Sequence, residues 1–159
     1  MIVRNTWDDL ETYRGMTTLP IILKGIQTVA DVKAAIEHQV PAIILSNHGG
    51  RNLDGSPSAL EVAIEIHEED ASLFQQIEIY ADGGIRYGSD ALRLLALGVR
   101  AVGLGRPFMY ANVFGQEGIE KAIDIMKSEL TGDAANLGVG DLKAISAELV
   151  QWEPNNWYS

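Results

Sequence analysis

Short, nearly pure apolar runs separated by stretches with helical periodicity are the feature that most restricts how this chain folds. Three runs cover residues 20–23, 41–45 and 101–104, and a mixed run covers residues 77–81. Apolar positions that do not alternate with polar ones indicate strands buried on both faces, as in a parallel sheet covered by helices. The sequence therefore predicts an α/β fold with four parallel strands joined by right-handed crossovers.

The segments between these runs carry helix signals. Thr28-Val-Ala-Asp31 has capping-box spacing at the head of a helix that should end near residue 39. Ser56-Pro57 is expected to supply the N-cap and first-turn proline of the next helix. Apolar residues at helical spacing predict two more helices, over residues 89–97 and from about residue 119 to 130. The tail is expected to be less regular from Ala134 onward, and residues 152–157 resemble no regular element.

Composition excludes several classes of function. Twelve Lys and Arg against twenty-two Asp and Glu give a formal net charge of −10, which disfavours binding to nucleic acid or an anionic membrane surface. The absence of cysteine excludes a disulfide framework, a thiol nucleophile and a Cys-based zinc site. No apolar run approaches the roughly 20 residues of a membrane-spanning helix. We therefore expect one soluble intracellular domain over residues 1–159, either cytoplasmic or mitochondrial.

Polar and basic residues follow the ends of all four predicted strands. Because parallel strands end at one edge of their sheet, these residues should meet where α/β proteins bind ligands. Lys24 directly ends an apolar run, and a partly buried lysine usually needs a partner, so it is interpreted as a placed cation. Four of the twelve basic residues lie at this edge, which favours an anionic ligand: Lys24, Arg51, Arg86 and Arg106.

Two glycine-rich loops, each with an arginine, are suited to phosphate. In Asp82-Gly-Gly-Ile-Arg86 and Gly103-Leu-Gly-Arg-Pro107, the glycines let backbone N–H groups approach an anion, and the arginine adds charge-assisted hydrogen bonds. Either loop alone is equally consistent with a tight turn between a strand and a helix. Their occurrence after consecutive strands favours a phosphate site.

The segment Ser46-Asn-His-Gly-Gly-Arg51 contains a candidate general base. His48 could exchange a proton near neutral pH, as imidazole does, and Arg51 carries a planar fork that suits a substrate carboxylate. The alternative for His48 is a loop histidine whose ring is satisfied by backbone carbonyls. His38 and His67 lie on predicted helices and are interpreted as structural.

Four motifs in this order resemble the successive motifs of the FMN-dependent α-hydroxy acid dehydrogenases and oxidases. They are Leu19-Pro-Ile-Ile-Leu-Lys-Gly25, Leu45-Ser-Asn-His-Gly-Gly-Arg51, Asp82-Gly-Gly-Ile-Arg86 and Gly103-Leu-Gly-Arg-Pro-Phe108. The resemblance covers roughly residues 6–145 and is greatest to the flavocytochrome-type L-lactate dehydrogenases. It implies a TIM-barrel type of fold with FMN at its C-terminal face, and oxidation of a lactate-like L-2-hydroxy acid to the 2-oxo acid.

The resemblance also implies a role for each motif residue. Lys24 would approach the N1 and O2 edge of the flavin, and Ser46 would also contact the flavin. His48 would be the base, with the flavin as electron acceptor, and Arg51 would bind the substrate carboxylate. The ribityl and phosphate end of FMN would be held by Asp82, Gly83, Gly84, Arg86, Gly105 and Arg106.

The length of the chain departs from the family pattern. A complete (β/α)₈ barrel needs about 250 residues, so four strands match a C-terminal half-barrel of four βα units. In the family, the first half contributes further flavin contacts, tyrosines that touch the substrate and an aspartate that orients the histidine. We therefore expect a fragment of an FMN-dependent 2-hydroxy acid dehydrogenase or oxidase, whose stand-alone activity the sequence leaves open. The alternatives are a non-catalytic remnant that binds phosphate or FMN, and a half-barrel that forms a homo-oligomer or pairs with a complementing N-terminal half.

Overall fold

A computed structural model describes residues 6–151 and contains a four-stranded parallel sheet. Its strands are β1 (Ile22–Ile26), β2 (Ala42–Leu45), β3 (Glu78–Asp82) and β4 (Ala101–Gly103). They lie side by side in chain order, and all neighbours are parallel. The helices are α1 (Asp9–Met16), α2 (Val29–Glu37), α3 (Ala59–Asp70), α4 (Leu73–Gln76), α5 (Gly88–Ala96), α6 (Arg106–Ala111) and α7 (Gly115–Asn136). The predicted α/β fold with four parallel strands is confirmed.

The first strand is longer at its carboxyl end than the apolar run predicts. It begins at Ile22 and continues through Lys24 to Ile26, with a break in register where Gly25 adopts a φ of +100°. Ser46 N donates to the Ile26 carbonyl at 3.3 Å, so β1 stays hydrogen-bonded to the end of β2 beyond the break in register. Lys24 therefore lies inside its strand rather than after it.

The helices cover one face of the sheet and leave the other open. The covered face includes the aligned residues Ile43 and Ile79, which are almost fully buried in a core with Val32 of α2, Val62 of α3 and Leu94 of α5. The opposite face presents a second aligned row whose members are all partly or largely exposed: Lys24, Ile44, Tyr80 and Ala101. The prediction that the strands are buried on both faces is wrong for residues 6–151, because the elements they form cover a single face.

The predicted start of α2 is confirmed, and its end carries one of the structural histidines. The Thr28 hydroxyl accepts from Asp31 N at 3.1 Å, as an N-cap does. His38 follows the last turn of α2, and its ring centroid lies 5.1 Å from that of Trp7. This contact joins the N-terminal segment to α2.

The N-cap of α3 differs from the prediction. Ser58, rather than Ser56, accepts from Glu61 N at 3.3 Å, and the Glu61 carboxylate accepts from Ser58 N at 2.6 Å. Pro57 consequently precedes the cap instead of opening the helix, and the Ser56 hydroxyl donates to the Leu53 carbonyl at 2.8 Å. The hydrogen bond from Ser58 N lowers the pKa of Glu61.

Helices α5 and α7 pack closely where α5 begins. Gly88 N donates to Glu129 Oε2 at 2.8 Å, and a Cβ at Gly88 would lie 2.5 Å from Leu130 N. Both helices were predicted, although α7 runs well beyond residues 119–130 at each end. Short 3₁₀ turns follow at Leu142–Ala144 and Ala147–Leu149, and residues 152–157 lie outside the described part. None of the helices within residues 6–151 combines the length and the hydropathy that a membrane span requires.

The capping box of α3 generates a prediction about stability and pH. Ser58→Ala should lower the free energy of unfolding by about 1 kcal/mol, whereas Ser56→Ala should change it by less than about 0.5 kcal/mol. The depressed pKa of Glu61 stabilises the fold above the carboxyl's unfolded pKa, and this stabilisation is lost as pH falls through the folded value. Urea unfolding should therefore show a Glu61→Ala deficit at pH 7 that shrinks toward pH 3. An equal deficit at both values would contradict the capping role of the carboxylate.

Candidate active site

The candidate loops meet in one cleft of about 590 Å³ at the carboxyl ends of the strands. Nine of the ten residues singled out from the sequence line it: Lys24, His48, Arg51, Asp82, Gly83, Gly84, Arg86, Gly105 and Arg106. The tenth, Ser46, is only 2% exposed and lies beneath this lining. Two exposed side chains of α6 that were not predicted, Met109 and Tyr110, also line the cleft. They follow Arg106-Pro107, where the apolar pattern gives no indication of a ligand.

A hydrogen-bonded cluster of Lys24, Ser46 and Asp82 forms the floor of the cleft. Lys24 Nζ donates to Ser46 Oγ at 2.7 Å and forms an ion pair with Asp82 Oδ2 at 2.9 Å. Ser46 Oγ donates to Asp82 Oδ1. Because Leu45 pairs with Ala81, the next residue of each segment comes opposite the other, which explains the contact between Ser46 and Asp82. The placed lysine therefore has two oxygen partners.

The turn that carries the candidate base has an unusual backbone. His48, Gly49 and Gly50 form a 3₁₀ turn in which all three φ angles are positive, at +57°, +66° and +73°. Glycine adopts this region freely, whereas an L-residue there costs roughly 1–2 kcal/mol. The imidazole of His48 is exposed on the cleft.

Hydrogen bonds from both sides hold this turn. His48 N donates to Ser46 Oγ at 3.0 Å, and Gly50 N donates to Asn47 Oδ1 at 3.1 Å. Arg106 Nη2 donates to the Gly49 carbonyl at 2.9 Å from the start of α6. Asn47 was not singled out from the sequence, although asparagine is a common turn residue because its side chain bonds to nearby backbone groups.

The two glycine-rich loops present open backbone to the cleft. Gly84 adopts a φ of +78°, and a Cβ added at Gly84 or at Gly105 would meet nothing within 4 Å. The two backbone amides just before α5 already have an acceptor, because the Asp90 carboxylate accepts from Arg86 N and Tyr87 N at 3.0 and 3.1 Å. An anion therefore has room at Gly84 and Gly105 rather than at these two amides.

The cleft is cationic although the chain is acidic. Among the described residues that line it, four side chains are cationic and one is a carboxylate, which already pairs with Lys24. The chain as a whole has a formal net charge of −10. This segregation of charge attracts anionic ligands to the carboxyl ends of the strands.

Comparisons with known proteins identify similar chains and folds. A family model described as FMN-dependent dehydrogenase matches residues 2–152. The L-lactate dehydrogenase (cytochrome) of Saccharomyces cerevisiae is 43% identical over 148 residues, which cover 91% of this chain and 25% of the relative. The 2-hydroxyacid oxidase 2 of Bos taurus is 40% identical over 147 residues, which cover 92% of this chain and 41% of the relative.

Solved structures show the same similarity. The recombinant flavin-binding domain of baker's yeast flavocytochrome b2 superposes with a TM-score of 0.85 at 40% identity, over 96% of this chain and 42% of that domain's chain. Mandelate oxidase with benzoyl-formic acid superposes with a TM-score of 0.80 at 35% identity, over 90% of this chain and 42% of that one. The four strands and their helices thus match part of the flavocytochrome b2 TIM barrel, and the chain spans between a quarter and about two fifths of the length of these relatives.

The backbone of His48 generates a prediction about stability. His48→Gly should raise the free energy of unfolding by about 0.5–1 kcal/mol, because relief of the left-handed strain exceeds the entropic cost of glycine. Gln39→Gly is the matched control, since Gln39 has a φ of +55° and lies outside the cleft. Urea unfolding should show both variants stabilised. A stabilised Gln39→Gly with a destabilised His48→Gly would show instead that the imidazole supports the turn.

Proposed function

Since this chain belongs to the FMN-dependent dehydrogenase family, whose members are 2-hydroxy acid oxidoreductases, we propose that its cleft holds FMN and oxidises an L-2-hydroxy acid such as lactate to the 2-oxo acid. The observation that carries the proposal is the convergence of nine motif residues on one cationic cleft. The motif resemblance implies a role for each of these residues, and the fold brings them together from four separate chain segments.

The loops around the cleft fit the phosphate end of FMN. Gly84 and Gly105 leave open space where a phosphate oxygen can approach the backbone, and Arg86 and Arg106 line the same cleft. Arg106 uses one guanidinium nitrogen on the Gly49 carbonyl, and a guanidinium has five N–H donors in all. Arg106 can therefore bind phosphate while keeping that contact. Gly83 and Asp82 complete the proposed surface for the ribityl chain.

Lys24 is placed to act as a cation next to the flavin ring. The Lys24 side chain is 40% exposed, and its ammonium group on the cleft floor is directed by Ser46 and Asp82. A cation held there would stabilise negative charge at the N1 and O2 edge of a flavin. In this proposal Ser46 also belongs to the FMN site, as the motif resemblance implies.

His48 would deprotonate the substrate, and Arg51 would bind its carboxylate. When bound, FMN would supply an acceptor for two electrons together with the hydrogen that leaves the substrate's Cα. The His48 imidazole takes the proton of the substrate's 2-hydroxyl, and hydrogen bonds fix the backbone turn from which that ring projects. The Arg51 guanidinium binds the carboxylate in a bidentate manner and orients the hydroxyl toward the base.

A second candidate function, FMN or phosphate binding without turnover, is favoured by the open face of the sheet. The described residues build the cleft from one side, and the His48 ring remains exposed. Residues 1–159 would then form one domain that completes its site only with further βα units, from a complementing N-terminal half-barrel or from a second copy of this chain. Strands β1 and β4 end the sheet of the described residues and offer the edges for such pairing.

The phosphate site predicts a ligand preference. The chain should bind FMN more tightly than riboflavin, because these loops contact FMN mainly through its phosphate and riboflavin has none. Arg106→Ala should weaken FMN binding by about 1.5–3 kcal/mol, the usual range for hydrogen bonds to ions, and should leave riboflavin binding nearly unchanged. Arg100→Ala is the control, since Arg100 is exposed at the opposite end of β4. Fluorescence titration measures the affinity of all three proteins for both ligands, and equal affinity of the wild type for FMN and riboflavin would refute the phosphate site.

The proposed base predicts a separation of binding from catalysis. With the cleft completed by the N-terminal part of the barrel of the yeast relative, His48→Gln should abolish reduction of FMN by L-lactate and leave FMN affinity nearly intact. Arg51→Lys should mainly raise the lactate concentration required, because a point charge replaces a bidentate fork. Anaerobic stopped-flow absorbance follows both effects. Normal flavin reduction in His48→Gln would remove this histidine from the mechanism, and reduction by the unsupplemented wild type would eliminate the second candidate.

A further inference from the structure

We propose that Glu129 of α7 is a positioning residue for Arg86, because it holds the backbone that follows the glycine-rich loop with this arginine. This role deepens the proposed function and rests on it, since Arg86 is one of the residues proposed for the phosphate end of FMN. Glu129 itself lies outside the lining of the cleft. The hydrogen bond from Gly88 N to its carboxylate is the observation that carries the inference.

Three consecutive backbone amides lead from the loop into α5, and each donates to a carboxylate. Arg86 N and Tyr87 N donate to Asp90 Oδ2 at 3.0 and 3.1 Å, and Gly88 N donates to Glu129 Oε2 at 2.8 Å. The first amides of a helix have no acceptor within its backbone, so they need such partners. Asp90 belongs to α5 itself and moves with it, whereas Glu129 ties this segment to another helix.

Arg86 depends on its backbone for its position. The residue is exposed and lines the cleft, and the hydrogen bond that holds it is donated by its own main-chain N–H. Arg106, in contrast, is also restrained through its guanidinium, which donates to the Gly49 carbonyl at 2.9 Å. A side chain that becomes ordered only when a ligand binds costs affinity. A shift of residues 86–88 would therefore be transmitted directly to the proposed phosphate site.

Close packing makes α7 a fixed support. A Cβ at Gly88 would lie 2.5 Å from Leu130 N, so α5 and α7 approach each other through their backbones at this point. A Cβ at Gly118 would lie 2.1 Å from the Ala111 carbonyl oxygen, so α7 also contacts the end of α6, the helix that begins at Arg106. One helix thus contacts both of the helices that adjoin the arginines of the proposed phosphate site.

The charge of Glu129 separates a positioning effect from a simple electrostatic one. A carboxylate repels a phosphate, so removal of its charge alone would strengthen FMN binding. Loss of a positional restraint would weaken it. Glu129→Ala removes both the charge and the hydrogen-bond acceptor, whereas Glu129→Gln removes the charge and keeps an acceptor oxygen.

The first test measures the affinities for FMN and riboflavin by fluorescence titration. Glu129→Ala should weaken FMN binding about 3- to 10-fold and change riboflavin binding by less than about twofold, because only the phosphate contact is disturbed. Glu129→Gln should restore FMN binding. Glu120→Ala is the matched control, since this carboxylate of α7 accepts from Gln116 of its own helix. Tighter FMN binding in Glu129→Ala, or equal losses for the two ligands, would overturn the proposal.

A double-variant cycle tests whether the effect passes through Arg86. If it does, Glu129→Ala weakens FMN binding by less than about twofold in an Arg86→Ala background, as expected for residues that act together. Equal losses in the wild-type and Arg86→Ala backgrounds would show that Glu129 acts by another route and would overturn the proposal.

The second test needs no cofactor. Amide hydrogen exchange at Gly88 should accelerate at least about tenfold in Glu129→Ala, because the N–H of a buried residue loses its acceptor, and Glu129→Gln should restore protection. Exchange at Ile43, in the core of β2, should stay unchanged. Unchanged exchange at Gly88, or equal acceleration at Gly88 and Ile43, would overturn the positioning role. Absence of FMN binding in the wild type would overturn the proposed function, while exchange at Gly88 would still decide whether Glu129 holds this segment.

Discussion

The parallel pairing of four strands in chain order is the constraint on which the rest of this structure depends. Each strand must return to the same end of the sheet, so the connecting helices pack on one face and the carboxyl ends form a single edge. The register then places individual atoms. Pairing of Leu45 with Ala81 brings Ser46 to Asp82, and pairing of Asp82 with Gly103 sets the two glycine-rich loops side by side.

The cleft illustrates how polar interactions can matter for geometry more than for stability. The ion pair between Lys24 and Asp82 is 2.9 Å long, yet both side chains are partly exposed, at 40% and 27%, so its net contribution to folding is small. It fixes the direction of a cation on the floor of the cleft, where the proposed FMN site would use one. The same holds for Arg106, whose bond to the Gly49 carbonyl links the proposed phosphate site to the turn with the proposed base.

The sequence predicted the fold class, the four strands and the residues that converge on the cleft, because apolar runs and glycine-rich motifs are local signals. Other features depend on tertiary contacts. Nothing local shows that His48 adopts a left-handed backbone or that Ser46 turns inward, since Ser46 bonds to Asp82 of the next strand and Arg106 of α6 bonds to the turn at Gly49. The wrong prediction of Ser56 as the N-cap of α3 was avoidable, because Ser58 and Glu61 have the spacing of a capping box and Ser56 has no such partner. The open face was missed because apolar runs do not reveal whether a covering layer is present.

The chain order of the strands also bears on how the domain forms during synthesis. Each strand pairs with the one made just before it, so the sheet can grow unit by unit as the chain leaves the ribosome, without waiting for a distant partner. The contact of Arg106 with Gly49 joins residues 57 positions apart, and the lining of the cleft ends at Tyr110, a few residues after β4. Glu129 reaches Gly88 only after most of α7 has been made. A nascent chain can therefore form the sheet and the cleft before α7 packs against α5.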